Sequence, residues 1–175
     1  MSLRLYLPAD TTALALGADA VAAAIRAAAA QRALAIDLVR NGSRGVFWLE
    51  PLLEVERGGQ RIAFGPLQAA DIPGVLAALD SDASEHPLYL GPTEDIPWLA
   101  AQQRLTFARA GLGHPQSLTH NRTLEAIPGL ERALQLTPQG SDDALTETGL
   151  RARACAAYPP GIKWQTLLDT PAAQK

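Results

Sequence analysis

The stretch Val39-Arg-Asn-Gly-Ser-Arg-Gly-Val-Phe-Trp-Leu-Glu-Pro-Leu-Leu-Glu-Val-Glu56 (VRNGSRGVFWLEPLLEVE) decides how the rest of the chain is read. Asn41-Gly42 is a turn signal between two apolar runs, so the preceding residues, Ala35 to Val39, form a strand candidate and Val46 to Glu56 feeds another. Just downstream, Gly58-Gly59 separates Leu52–Glu56 from Arg61–Phe64, the pattern of a β-hairpin. Upstream, Leu3 to Leu7 is a short apolar run stopped by Pro8. Asp10, Thr11 and Thr12 then offer helix caps before a long alanine-rich segment. Asp71 to Leu79 has helical spacing, with Pro73 tolerated in the first turn. The order is β-α-β-β-β-α, which suits a small sheet with helices packed on it. The fold class expected is α/β, a thioredoxin-like domain over residues 1–80.

Residues 81–96, with Asp, Ser, Pro and Gly, read as a linker. From 97 to 175 the chain reads as mainly helical. Trp98 to Ala110 has apolar residues at helical spacing, with Trp98, Leu99, Leu105 and Ala108 on the core side, and Gly111 and Gly113 stop it. A helix from Gly129 to Leu136 follows Pro128. Another begins near Ser141, and a short one lies beyond the Pro159-Pro160-Gly161 loop.

Composition narrows the function classes. The chain has 175 residues, 47% hydrophobic and 19% charged, with a formal net charge of -3. Its positive residues are scattered, so nucleic acid is not an expected partner. Much of the apolar content is alanine, no run approaches the ~20 strongly apolar residues of a membrane span, and the start lacks a secretory signal. A cytoplasmic location is expected. One cysteine, Cys155, gives neither a disulfide nor a Cys-x-x-Cys redox pair, which argues against an independent thioredoxin-type oxidoreductase. His86, His114 and His120 lack metal-ligand spacing and read as surface histidines. Glu50, Glu54 and Glu56 alternate as on a solvated sheet face. Ser43 and Arg44 read as turn residues.

Residues 39–56 resemble the cluster-binding loop of thioredoxin-like [2Fe–2S] ferredoxins, with Ser43 and Phe47 where that family has cysteines. Thiolates hold iron there, and phenylalanine offers no donor, so no iron–sulfur cluster is expected. The same residues, together with QQRLTFARAGLGHPQSL (102–118) and TGLRARACAAYPPGIKW (148–164), resemble the beta subunit of NAD-dependent formate dehydrogenases, relatives of the flavoprotein subunit of respiratory NADH dehydrogenases. In the 102–118 segment that family usually has an acidic residue in place of His114.

The formate dehydrogenase resemblance implies a thioredoxin-like domain followed by the start of an FMN-binding domain. That module passes electrons between FMN and NAD and assembles with other subunits of a formate dehydrogenase or NADH dehydrogenase-like complex. It assigns the cofactor-facing positions to Ala152, Arg153, Ala154, Cys155 and Lys163, with Arg153 and Lys163 offsetting flavin charge. Side chains at Ala152, Ala154 and Cys155, where the family has glycines, work against tight FMN binding. The nicotinamide loop and the [4Fe–4S] cysteines of the family would follow Lys175. The chain is therefore not expected to be catalytic alone. The alternative is a degenerate, non-catalytic assembly module of a redox complex.

Overall fold

A computed structural model describes residues 2–105, 107–152 and 155–171, with Cys155 as backbone alone. The chain divides into two compact units, Met1–Leu124 and Glu125–Lys175.

The first unit is built on a five-stranded sheet of order β2-β1-β3-β4-β5. Its strands are β1 (Leu3–Tyr6), β2 (Ile36–Val39), β3 (Leu53–Arg57), β4 (Gln60–Phe64) and β5 (Tyr89–Pro92). β1 and β2 run parallel, joined through α1 (Thr11–Ala15) and α2 (Ala18–Gln31), and every other pairing is antiparallel. The β-α-β-β-β-α thioredoxin-like order is thus present, and α3 (Ile72–Ala78) completes it. β5 lies within the segment expected as a linker and adds a fifth strand at the edge.

Alternation sorts the sheet's two faces. Leu5, Leu7, Leu53, Val55 and Phe64 face α2 and α3, where Val21, Ile25, Ile72, Val75 and Leu76 close a fully buried core. The small alanines of α2 let that helix approach the strands closely, and its polar face carries Asp19 and Arg26. The second face is covered differently. At one end Val46, Leu52, Ala63, Ile96 and Leu99 form a smaller apolar cluster, and at the other the cover is polar.

The helix expected from Trp98 to Ala110 is corrected: α4 spans Pro97–Ala100 only, and the described residues that follow, up to Gly111, form irregular chain and turns. Of the residues assigned to its core side, Leu99 is buried while Trp98 and Leu105 are exposed. A continued helix would need apolar surface under Leu105 and Ala108. The chain instead turns so that Arg104 donates to the Arg44 carbonyl at 3.4 Å. The short helix α5 (Leu118–Thr123), capped by the Ser117 hydroxyl, ends the unit.

The second unit comprises α6 (Pro128–Ala133), α7 (Pro138–Glu147) and α8 (Pro160–Asp169). Each has proline in its first turn, where the missing N–H costs nothing. α7 and α8 approach closely at Gly161, where an added Cβ would lie 2.1 Å from Thr146 Oγ1. Among the described residues, no helix is long and apolar enough to cross a membrane.

Candidate functional site

The loop between β2 and β3 is the best-organised polar site of the first unit. Glu54, expected on a solvated face, is fully buried. It takes two bonds from Arg44, Nε at 3.1 Å and Nη2 at 2.8 Å, a third from Arg61 Nη1 at 3.3 Å and a fourth from Asn41 Nδ2 at 3.4 Å. Arg44, expected as a turn residue, is buried as well, and its third nitrogen pairs with Glu94 at 2.9 Å. Burial by itself pulls the Arg44 guanidinium down, but the hydrogen bond and charge of Glu54, aided by Glu94, leave it above the ordinary arginine value.

The same network fastens the 109–113 loop onto the sheet. The Gly111 carbonyl accepts from Asn41 Nδ2 at 2.7 Å and from Arg61 Nη1 at 3.0 Å, and Leu112 O accepts from Arg61 Nη2 at 2.8 Å. Gly111 is required here, since its φ is +78° and a Cβ would lie 2.3 Å from Arg44 Cδ. The Arg61 guanidinium also stacks 3.4 Å from the centroid of the Tyr6 ring, whose hydroxyl donates to Glu56 at 2.9 Å. Burial, then the bond to Glu56, raises the Tyr6 phenol above its usual value.

Ser43 sits in the turn, where its Oγ accepts from the Gly45 N–H at 2.9 Å and donates to Glu50 Oε1. Glu50 is buried, against expectation, and among the described residues its Oε2 has no partner. Burial pushes this carboxyl above the usual carboxylate range; the Ser43 bond works against that shift, and the charge of Asp10 adds to it. Phe47 and Trp48 stand on the next turn with their rings half-exposed, and Trp48 meets the exposed Trp98 edge-to-face at 5.7 Å. The loop thus presents aromatic surface on a polar foundation. The three histidines each accept a backbone N–H at Nδ1 in a local turn: His86 from Leu88, His114 from Gln116 and His120 from His114.

In the second unit, the expected cofactor-facing positions lie on the loop from Gly149 to Lys163. Arg153 and Ala154 fall outside the described residues, as does the Cys155 side chain. Ala152 donates its N–H to the Tyr158 carbonyl at 3.2 Å, which closes the loop, and Arg151 Nη1 reaches Ala157 O at 3.4 Å. Lys163 is exposed, its Nζ 5.8 Å from the Tyr158 ring centroid. Ala156 and Ala157 have left-handed backbones, at φ 51° and 59°. A cavity of about 240 Å³ opens beside this loop, with Thr146, Arg151 and Ile162 in its wall.

No family model matches the chain. A stretch of 74 residues, 42% of this chain, is 35% identical to the HndC subunit of the NADP-reducing hydrogenase of Solidesulfovibrio fructosivorans and spans 15% of that subunit. The chain is accordingly a distant relative of a redox-complex subunit. Among solved structures it is similar to a thioredoxin-like [2Fe–2S] ferredoxin from Aquifex aeolicus, at 9% identity and a TM-score of 0.42, covering 53% of this chain and 93% of that one.

The cofactor expectation is corrected by the second likeness. The expected absence of an iron–sulfur cluster is withdrawn, because the similar solved chain is itself a [2Fe–2S] ferredoxin. Two side chains, Ser43 and Phe47, were too narrow a base for excluding a cluster from a whole chain. Among the described residues, no group of three or more His, Cys, Asp or Glu side chains is placed to hold a metal ion.

Proposed function

We propose that this chain is the N-terminal portion of the diaphorase-type subunit of an NAD-dependent formate dehydrogenase, a module that helps pass electrons to or from a nicotinamide nucleotide inside a larger complex. The observation that carries the reading is the 35% identity to a hydrogenase subunit over 74 residues. It is supported by the thioredoxin-like sheet and by the matching segments at 39–56, 102–118 and 148–164.

In this reading the first unit is a docking platform. Its buried Arg44–Glu54 network holds a rigid loop, and Phe47, Trp48 and Trp98 meet a neighbouring subunit. The loop from Gly149 to Lys163 contributes one wall of a cofactor site completed by other parts of the complex, with Ala152, Arg153, Ala154, Cys155 and Lys163 along it. Lys163, exposed, is with Arg153 a cation of that wall that meets an anionic ligand. Formate itself reacts on another subunit.

The test is to purify the complex that assembles around the tagged full chain and assay it with formate and with hydrogen, each against NAD. Formate-dependent NAD reduction, lost when residues 1–124 are deleted, is the expected result. A complex active with hydrogen and inert with formate would replace the formate assignment with a hydrogenase one, and a complex active with neither would remove the enzyme reading.

A further inference from the structure

The groove between α7 and α8 is acidic along its length and contains a buried carboxylate without a donor. A cavity of about 510 Å³ there is walled by Asp142, Asp143 and Glu147 of α7 and by Asp169 of α8, and among the described residues no arginine, lysine or histidine lines it. Asp142 is only 3% exposed, and its Oδ1 has no hydrogen-bond partner among the described residues. A buried acceptor left without a donor is costly, more so on an ionisable group, so this wall calls for an N–H donor from a ligand.

The acids further along are held in place without being neutralised. Asp143 accepts from Gln139 Nε2 and Asp169 from Gln165 Nε2, each at 2.9 Å, and the two amides join across the groove at 2.7 Å. An amide donor leaves a carboxylate its charge and its remaining lone pairs. Glu147 also borders a neighbouring cavity that Arg132 lines, while Lys163 of α8 turns toward the Tyr158 ring. The N-terminus of α8 meets the last turn of α7 at Gly161 and Thr146, where the two helix dipoles offset each other, so the carboxylates set the sign of the groove.

The spread of these charges selects the cation. Among the described residues, no three acids lie close enough together to hold a metal ion. The negative charge is strung out instead: α8 rises about 12 Å from Gly161, beside Asp142, to Asp169, with the half-exposed Ile162 between. A point cation meets one end only. A linear polyamine has ammonium groups separated by methylene chains, so one end donates to Asp142 and another to Asp169 while its methylenes lie over Ile162.

We propose that the groove between α7 and α8 is a binding site for a linear polyamine, anchored by Asp142 at one end and Asp169 at the other.

Calorimetric titration of spermidine into the full chain at about 150 mM salt tests this. The expected result is one molecule bound per chain, with Asp142→Asn weakening binding at least about tenfold and Asp169→Asn about threefold. Glu85→Gln, at an exposed acid of the first unit, should leave it unchanged, and Mg²⁺ at equal concentration should displace little of it. Hydrogen exchange of the unaltered chain gives a second reading: spermidine should slow exchange at residues 142–147 and 162–168 and leave 53–64 as they were. No saturable binding, several molecules per chain, an affinity unchanged by D142N or by D169N, displacement by equal Mg²⁺, or protection that fails to appear in α7 and α8 would overturn the proposal.

Discussion

Residues 3–99 and 125–171 are both rich in leucine and alanine, yet the first region fully buries two apolar clusters and the second fully buries no large apolar side chain among those described. Apolar content does not separate them; geometry does. A sheet offers two broad faces, and α2 and α3 cover one while the 41–50, 93–99 and 109–113 segments cover the other. Three short helices offer only narrow stripes, and stripes meet only when enough of them are brought together. The first region can also afford a buried ion pair, because the strands fix Glu54 and Arg61 and the loop brings Arg44 to them.

The largest effect should come from the polar half of that contrast. Glu54→Ala leaves the Arg44 guanidinium buried with only Glu94 to face, and removing one member of a buried pair costs about 3–5 kcal/mol. Urea denaturation of the first unit's transition should show a loss toward the lower end of that range, since Glu94 remains; a loss below about 1 kcal/mol, the value of a surface pair, would mean the network is solvated.

A smaller, pH-dependent effect belongs to Glu50. Its folded-state carboxyl binds the proton more tightly than the unfolded chain does, so stability is greatest below the ordinary glutamate range and falls as pH rises through that range to the raised value. Glu50→Gln keeps an acceptor for the Ser43 hydroxyl and removes this loss. The denaturation midpoint of E50Q should pull ahead of the parent as pH rises across the window, and parallel profiles would show that Glu50 is not held above its usual value.

The smallest effect belongs to the second region. Leu130→Ala removes side-chain atoms already in water, so in dilute solution it should change stability by less than about 0.5 kcal/mol, as read from the same denaturation curves. A loss of about 2 kcal/mol or more, typical of a buried leucine, would show that α6 has a core after all and erase the contrast.

The sequence made four of the five strands legible because apolar alternation and the Gly58-Gly59 turn are local signals. β5 was not legible: its four residues include Gly91, at φ +86°, and Pro92, which read as turn, and its pairing to β4 is set by tertiary contact. The Trp98–Ala110 helix failed for a related reason, since periodic apolar residues form a long helix only where a surface waits for them. The Arg44–Glu54 pair was the site residue set missed outright. Alternation along β3 marks which face Glu54 takes, but whether that face is wet depends on Gly111, 57 positions away. An arginine in a turn opposite an acid in a strand was the one available hint.

Gly111 also bears on where the first unit ends. Its carbonyl is an acceptor for two side chains rooted in the sheet, Asn41 and Arg61, and its missing side chain makes room for the arm of Arg44. Cutting the chain after β5 would keep every strand and helix of the thioredoxin-like fold and still strip the lid from a buried charge. The boundary of this folding unit is drawn by the last satisfied donor, well past the last hydrogen-bonded strand.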